Sequence, residues 1–415
     1  MKRFFRALVE ALLLVRARAV LRRVDTVIGV TGSVGKTSTR MAIAQVLAAD
    51  YQVQTSSQNF NTPIGLLLAI LDIPASGHSP LGWLGIVVRA YLKKLPQPQI
   101  LVLEYGIDRP GDMSELIAVC VPDILVVTPI APTHIGPRQF ADLDAIREEE
   151  FRLMRKVPEL ILNGFDPETV LAYAEESPPE QSVQRFAPKA GGEVTVTYTG
   201  SGERGVTFLV DGETFSAPVF GEFQLQIFAP AVILGRRFGI PAERIREQLL
   251  GFTPPAGRGR LLAGINGSHL WDFSYNSSPL ATAEAVRTLG KLRWASRRLA
   301  LLGTMNELGD LSLQEHERLG ELAAANAELI VFVGAEAEAV RRGVQGRAPL
   351  HCFATAREAG EYLRGQLQPG DVLLVKGSQS GVYLEAAVEL LLADSEDASK
   401  LCRRGRHWQE RRARL

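Results

Sequence analysis

The sequence is short of cysteine: its 415 residues include three, Cys120, Cys352 and Cys402. They lie far apart, with neither metal-ligand nor disulfide spacing, which excludes a disulfide-stapled secreted domain and fits a reducing cytosol. Net charge is also missing. Forty-six basic residues balance 46 acidic ones, so the composition gives no support for nucleic-acid binding. No apolar run reaches the roughly 20 residues that span a bilayer, and "ALVEALLLV" (7–15) is interrupted by Glu10. Repeats, low-complexity tracts and heptads are absent. What remains is a 46% hydrophobic, enzyme-like chain, too long for one compact core and expected to form two or three domains.

The ends are basic. Residues 1–24 carry Lys2, Arg3, Arg6, Arg16, Arg18, Arg22 and Arg23 against Glu10. A helix packed on the domain and a helix lying on a membrane surface both fit; the embedded Glu and the Arg-rich flanks argue for retention in the cytoplasm rather than export. The same two readings apply to "SPLGWLGIVVRAYLKKLPQ" (79–97), in which Trp83 and Tyr91 accompany three basic residues. The tail, residues 396–415, is expected to fray.

Periodicity gives an α/β fold. "TVIGV", "ILVLE", "DILVVT" and "ELILN" read as buried parallel strands between amphipathic helices, a doubly wound sheet over residues 25–253. Within it "EVTVTYTG" and "GVTFLVDGETFSAPV" change to period-two alternation, with Asp211-Gly212 at a hairpin turn, which adds a small antiparallel patch. "GFTPPAGRGR" (251–260) reads as a linker. The βα rhythm restarts with "HLWDF", "RRLALLG", "ELIVFVG", "LHCFAT" and "DVLLVKG", predicting a Rossmann-like domain over 254–395.

Chemistry starts at "VIGVTGSVGKTSTRMAIAQVL" (27–47), a strand, a glycine turn and a helix. The usual phosphate loop puts a glycine five positions before that of Gly-Lys-Ser/Thr; here that position is Val30, and the nearest glycines are Gly29 and Gly32. The physics still favours phosphate: Gly32, Ser33, Val34, Gly35 and Ser38 surround a helix N-terminus, Lys36 neutralises the outer phosphates and Thr37 offers a hydroxyl to Mg²⁺. A turn whose glycines serve only backbone geometry is the bland alternative. Two neighbouring strands end in Glu104 and run out to His134, and both would converge beside the loop as metal ligands. A hydrogen-bonding surface histidine is the alternative for His134.

The ordered segments "GVTGSVGKTST", "NFNTPIG", "LEYGIDRPGDM", "TPIAPTHIG", "SYNSSP", "GTMNELGDLSLQEHERLG" and "LLVKGSQSGVYLE" together resemble the Mur ligases, most of all those that add D-alanyl-D-alanine to a peptidoglycan precursor. The likeness runs from about residue 25 to 390. It implies an ATP- and Mg²⁺-dependent ligase: ATP phosphorylates a carboxylate, an amine attacks the acyl phosphate, and an amide, ADP and phosphate are formed. It also implies roles. Thr37 and Glu104 would hold one magnesium and His134 a second; Asn59, Asn61 and Thr62 would lie in the acceptor-binding loop. The second domain would close over ATP and deliver the amine, with Arg258 (or Arg260) near the phosphates, Asp272 and Asn276 facing the nucleotide, and Lys376 and Ser378 on the amine.

Departures from the pattern are informative. The family usually has His-Asn, and Asn three residues on, where this chain has Phe223, Gln224 and Ile227; Gln224 would keep an amide for adenine. Its second aspartate before Ser-Tyr-Asn is Phe273 here. Members like those most resembled are expected to begin with a UDP-gripping domain, whereas 24 residues precede the first strand; a surface-attached or lipid-linked acceptor is the corresponding expectation. Family members also carry a CO₂-carbamylated lysine ten residues after a phenylalanine, and counting from Phe140 arrives at Glu150. A permanent carboxylate suits Mg²⁺, which prefers oxygen ligands. Glu150 shares a helical stripe with Ile146 and Leu143, with Glu148 as the alternative register and a solvated acidic run as the bland one. A P-loop kinase or switch NTPase, turning over without an amine, and a degenerate pseudo-ligase unable to bind ATP are the competing functions.

Overall fold

The computed structural model describes residues 2–56, 62–75, 80–136, 139–176, 181–188, 191–379, 381–405, 408 and 411. Two compact units emerge, one of Met1–Thr197, Phe208–Ser216 and Leu225–Phe252, the other of Tyr198–Thr207, Ala217–Gln224 and Thr253–Leu415.

The first unit begins with α1 (Lys2–Leu21), β1 (Thr26–Thr31), α2 (Lys36–Leu47), β2 (Val53–Thr55), α3 (Pro63–Leu71) and α4 (Pro80–Leu92). It continues through β3 (Ile100–Glu104), α5 (Asp112–Val119), β4 (Ile124–Val127), α6 (Leu143–Met154), β5 (Glu159–Asn163), α7 (Pro167–Glu176) and β6 (Ser182–Ala187). Strands β7 (Val194–Gly202), β8 (Gly205–Val210) and β9 (Glu213–Ala217) precede α8 (Leu225–Arg237) and α9 (Ala242–Leu250). The sheet order is β2-β3-β1-β4-β5-β6-β7-β8-β9, parallel from β2 to β7. The doubly wound reading is thus realised. The hairpin sits where Asp211-Gly212 placed it: both residues have positive φ (49° and 83°), as a two-residue primed turn requires. Strand β2, three residues long, carried no sequence signal of its own.

Alternation decides which side chains go to which face. Val27, Leu101, Leu103, Leu125 and Val127 belong to a core that also takes Val9, Leu13, Ala17 and Val20 from α1 and Ile86 and Ala90 from α4. So α1 packs on the fold. Burying each Val or Leu is worth about 1.5–3 kcal/mol, which outweighs what a solvated helix would gain from its charges. Arg16 fastens the pair by donating to the carbonyls of Ala90 (2.9 Å) and Lys93 (3.3 Å) at the end of α4, a favourable end for a cation. Among the described residues no helix is long and apolar enough to cross a membrane.

The second unit contains β10 (Arg260–Ala263), β11 (His269–Phe273), α10 (Pro279–Lys291), β12 (Arg298–Gly303), α11 (Ser312–Asn326) and β13 (Leu329–Val333). It ends with α12 (Ala337–Val344), β14 (Leu350–Phe353), α13 (Ala356–Arg364), β15 (Val372–Lys376) and α14 (Glu385–Leu391). The order β10-β11-β15-β12-β13-β14 is parallel except for β10, so the segment read as a linker ends inside a strand. Leu299 and Leu301 face one apolar cluster, Ala300 and Leu302 the other, and helices cover both sides. The chain beyond does not fray at once: Leu401, Cys402 and Arg403 are buried.

Candidate functional site

In the first unit the phosphate loop joins β1 to α2. Gly35 caps α2 in the left-handed region (φ 89°), and Gly32 has φ 117° with its α-carbon so close to Thr128 that a β-carbon would run into it. Those two positions, rather than the standard frame, are where only glycine fits; this is the physical content of the shifted spacing. The N–H groups of Ser33 and Val34 both donate to the Pro129 carbonyl (2.8 and 3.2 Å). The cradle expected of them is therefore turned onto the protein, because a buried N–H takes the nearest acceptor. Lys36 folds back onto the Gly32 carbonyl, and Ser38 is buried in α2.

Thr37 and Glu104, paired by the resemblance, lie side by side. The hydroxyl lies 3.0 and 3.2 Å from the two carboxylate oxygens, since Val30, five residues before the loop lysine's turn, is in register with Glu104 on the adjacent strand. Sequence reasoning missed Arg40. Its guanidinium, 1% exposed, lies 3.4 Å from Glu104 and also donates to the Thr55 hydroxyl and the Ser56 carbonyl. One helical turn beyond Lys36 was the available signal.

The acidic run on α6 divides by direction. Glu148 is 70% exposed beside Arg152, and Glu149 accepts from the Gly111 and Met113 N–H groups. Glu150 is fully buried: its oxygens take the Thr31 hydroxyl at 2.5 Å and the Gly32 N–H at 3.2 Å. Burial pushes its carboxyl above the usual range, opposed by Lys36, Thr31 and Gly32. The alternative, Glu148, points away from the loop to solvent. His134 faces Asp108 (3.4 Å) and Gln139 (3.4 Å) at a positive φ of 56°. Among the described residues no three His, Cys, Asp or Glu side chains gather as a metal cluster. The expected set of Thr37, Glu104, His134 and Glu150 is thus not one ready-made nest, because each carboxylate is bonded to a separate side of the loop.

Thr62 caps α3, its hydroxyl accepting from Gly65 N (3.2 Å) with Pro63 following; Asn59 and Asn61 lie outside the described residues.

In the second unit several of the expected side chains are buried. Asp272, expected to face a nucleotide, is fully buried; one oxygen takes the Ser274 N–H (2.9 Å), the other has no hydrogen-bond partner, and burial pushes its carboxyl up. Ser378 is buried and occupied: it takes the Asn306 N–H (2.9 Å) and donates to the Ser277 carbonyl (3.4 Å). It pins three strand-end loops. Gln224, expected to keep an amide for adenine, is 2% exposed. Phe223 and Phe273, the two apolar departures, pack on one another with ring centroids 6.3 Å apart. Of the linker arginines, Arg258 lies over the Tyr275 ring (4.2 Å), while Arg260 donates to Pro254 O (2.9 Å). Asn276 is exposed, and its carbonyl accepts from Lys376 Nζ at 2.9 Å. Burial and Arg258 bring the Lys376 ammonium down to about 7.

Comparison with known proteins adds the following. The family model for the Mur ligase middle domain matches residues 84–234, and that for the Mur ligase glutamate ligase domain matches 257–379. The chain is 27% identical over 389 residues to the UDP-N-acetylmuramoyl-tripeptide--D-alanyl-D-alanine ligase of Bacillus subtilis, covering 91% of this chain and 78% of that one. Against its Treponema pallidum counterpart the identity is 28%, with 88% and 74% covered. In fold it is similar to MurF from Acinetobacter baumannii (TM-score 0.76, 23% identity, 92% and 79% covered). MurF from Thermotoga maritima, solved in complex with ADP, is also similar (TM-score 0.75, 24% identity, 94% and 84% covered).

Proposed function

We propose that this chain, which belongs to the Mur ligase family, is an ATP-dependent ligase that joins a carboxylate to an amine through an acyl phosphate, adding D-alanyl-D-alanine or a related amine to a peptidoglycan peptide precursor. The observation that carries it is the phosphate loop flanked by Thr37–Glu104 on one side and Thr31–Glu150 on the other, inside a chain whose relatives are named for this reaction.

The terminal phosphoryl group of ATP passes to the substrate carboxylate and ADP leaves. The amine then attacks the acyl carbon, loses a proton, and expels phosphate as the amide forms. Lys36 supplies positive charge where the transferred group carries negative charge, which is the largest kind of term available to such a site. The donor set fits Mg²⁺, since hydroxyl and carboxylate oxygens are what that ion takes. Thr37 and Glu104 would hold one ion; Glu150, with His134, would serve a second. Bound magnesium supplies charge neutralisation and orientation of the phosphates. Glu150 supports the reading of a built-in carboxylate in place of a carbamylated lysine, because it is held by loop donors rather than solvated.

In the second unit Arg258 would serve the phosphates, Asn276 the nucleotide and Lys376 the incoming amine; the proximity of these three around the 274–276 turn supports that reading. Incubation with ATP, Mg²⁺, a UDP-muramoyl tripeptide and D-Ala-D-Ala tests the function: phosphate should be released only when both substrates are present. Release with one of them alone, or with neither, would move the chain to the kinase or switch class.

Attachment to the inner face of a membrane is the finer reading of location. It is supported by exposed Leu8 and Val15 on α1 and Leu84, Val88, Tyr91 and Leu92 on α4, beside the basic Arg6, Arg89 and Lys93. Apolar side chains flanked by cations suit an anionic lipid surface, and a lipid-linked acceptor would be met there.

A further inference from the structure

Arg403 lies in what reads as a surface tail, yet it is 8% exposed. Its Nε and Nη2 donate to the two oxygens of the fully buried Glu385 at 2.9 and 2.6 Å, a fork-on-fork pair. The same guanidinium donates to the carbonyls of Ser274 and Tyr275, the latter at 2.8 Å. Cys402, its neighbour, rests against the Ser274 hydroxyl (3.5 Å). The next carbonyl along, that of Asn276, accepts from Lys376, and the Tyr275 ring lies beneath Arg258. Three successive carbonyls of one turn are therefore shared between a buried arginine and a buried lysine. Besides Glu385 and the Tyr383 ring (5.7 Å), the groups Arg403 holds belong to that turn.

We propose that Arg403 is a positioning residue for the amine side of the site: by gripping Ser274 and Tyr275 it fixes the 274–276 turn against Arg258 and Lys376. Glu385 neutralises the guanidinium, so the pair contributes placement and no net charge. The planar fork reaches a carboxylate and two carbonyls at once, which a lysine cannot do. With the turn held, Lys376 stays out of water, and Arg258 is the charged group that faces it. The turn's release would admit water and let the lysine return toward its ordinary behaviour. The inference rests on the ligase reading only for the name of the site.

The test reads Lys376 directly, by competitive acetylation with acetic anhydride against pH and peptide mass spectrometry on the whole chain, and so does not require turnover. Arg403→Met combined with Glu385→Met exchanges the buried pair for apolar side chains, a replacement that buried ion pairs often tolerate. Arg403→Lys is the second variant, keeping a cation on Glu385. Arg404→Met is the control, from an exposed pair with Glu389. In variants that melt near the wild-type temperature, the acetylation midpoint of Lys376 should move from about 7 toward 10.5 by about one pH unit or more, while the control stays put. Where ligation is measurable, kcat/KM for the amine should fall roughly tenfold or more. A midpoint unmoved in either folded variant overturns the proposal. A shifted midpoint in a protein without ligase activity would keep the clamp and dismiss the ligase reading instead.

Discussion

The hydroxyl of Thr31 stands 2.5 Å from Glu150 across 119 positions of sequence. The end of β1 and the middle of α6 are thereby tied beside the glycine loop, and on the proposed reading this carboxylate needs no CO₂ to complete it.

Turnover is therefore expected to persist in bicarbonate-free buffer, whereas Glu150→Ala should lower kcat by roughly 10²-fold or more. Phosphate release assayed with and without added bicarbonate measures both. A Glu150→Ala enzyme of undiminished rate would remove the residue from the chemistry.

Arg40 gives a prediction about stability. It is buried against Glu104 and the Ser56 carbonyl, so Arg40→Met leaves a carboxylate and a carbonyl without their donor. Breaking such a pair from one side costs about 3–5 kcal/mol. Urea unfolding should show a loss of that size; a loss below about 1 kcal/mol would mean that Glu104 finds its charge balance elsewhere.

Lys376 should leave a mark on the pH dependence of stability. Its folded value, about 7, lies below the ordinary 10.5, so between those limits the unfolded chain binds a proton that the folded chain does not. Stability should then rise with pH from about 7 to 10.5 and be penalised most below about 7. Lys376→Met should flatten this limb in thermal melts taken across the range. An equally steep limb in the variant would assign it to other groups.

Lipid attachment can be separated from folding. Removing residues 1–24 would also strip Val9, Leu13, Ala17 and Val20 from the core, so truncation confounds the two. Val15→Glu with Leu92→Glu alters only side chains that are 62% and 82% exposed. Sedimentation with anionic vesicles should lose the variant and retain the wild type; equal partitioning of both would leave this face without a lipid role.

Much of this was legible because it depends on neighbours in sequence or on simple periods. The parallel strands follow from apolar runs, the Asp211-Gly212 turn from two residues that tolerate positive φ, and the inward direction of Glu150 from the helical stripe it shares with Ile146, whereas its proposed role came from the family resemblance. What was not legible shares a different cause. Whether Asp272, Ser378 or Gln224 faces a ligand or the interior depends on which loop lies over it, and no local pattern carries that. Arg403 is the same case in reverse: a basic residue near a chain end looks solvated until its carboxylate partner, 18 residues earlier, is seen to be buried.

The fastening of α1 to α4 by Arg16 has a consequence during synthesis. The contact spans 74 residues, which a ribosome takes roughly 4–15 s to add. Throughout that interval the apolar stripe of α1 has no partner from α4, and its basic flanks lie beside it. The nascent helix thus waits first for α3, whose residues 66–71 share its core, and then for α4, so its apolar stripe is covered in two stages as the chain lengthens.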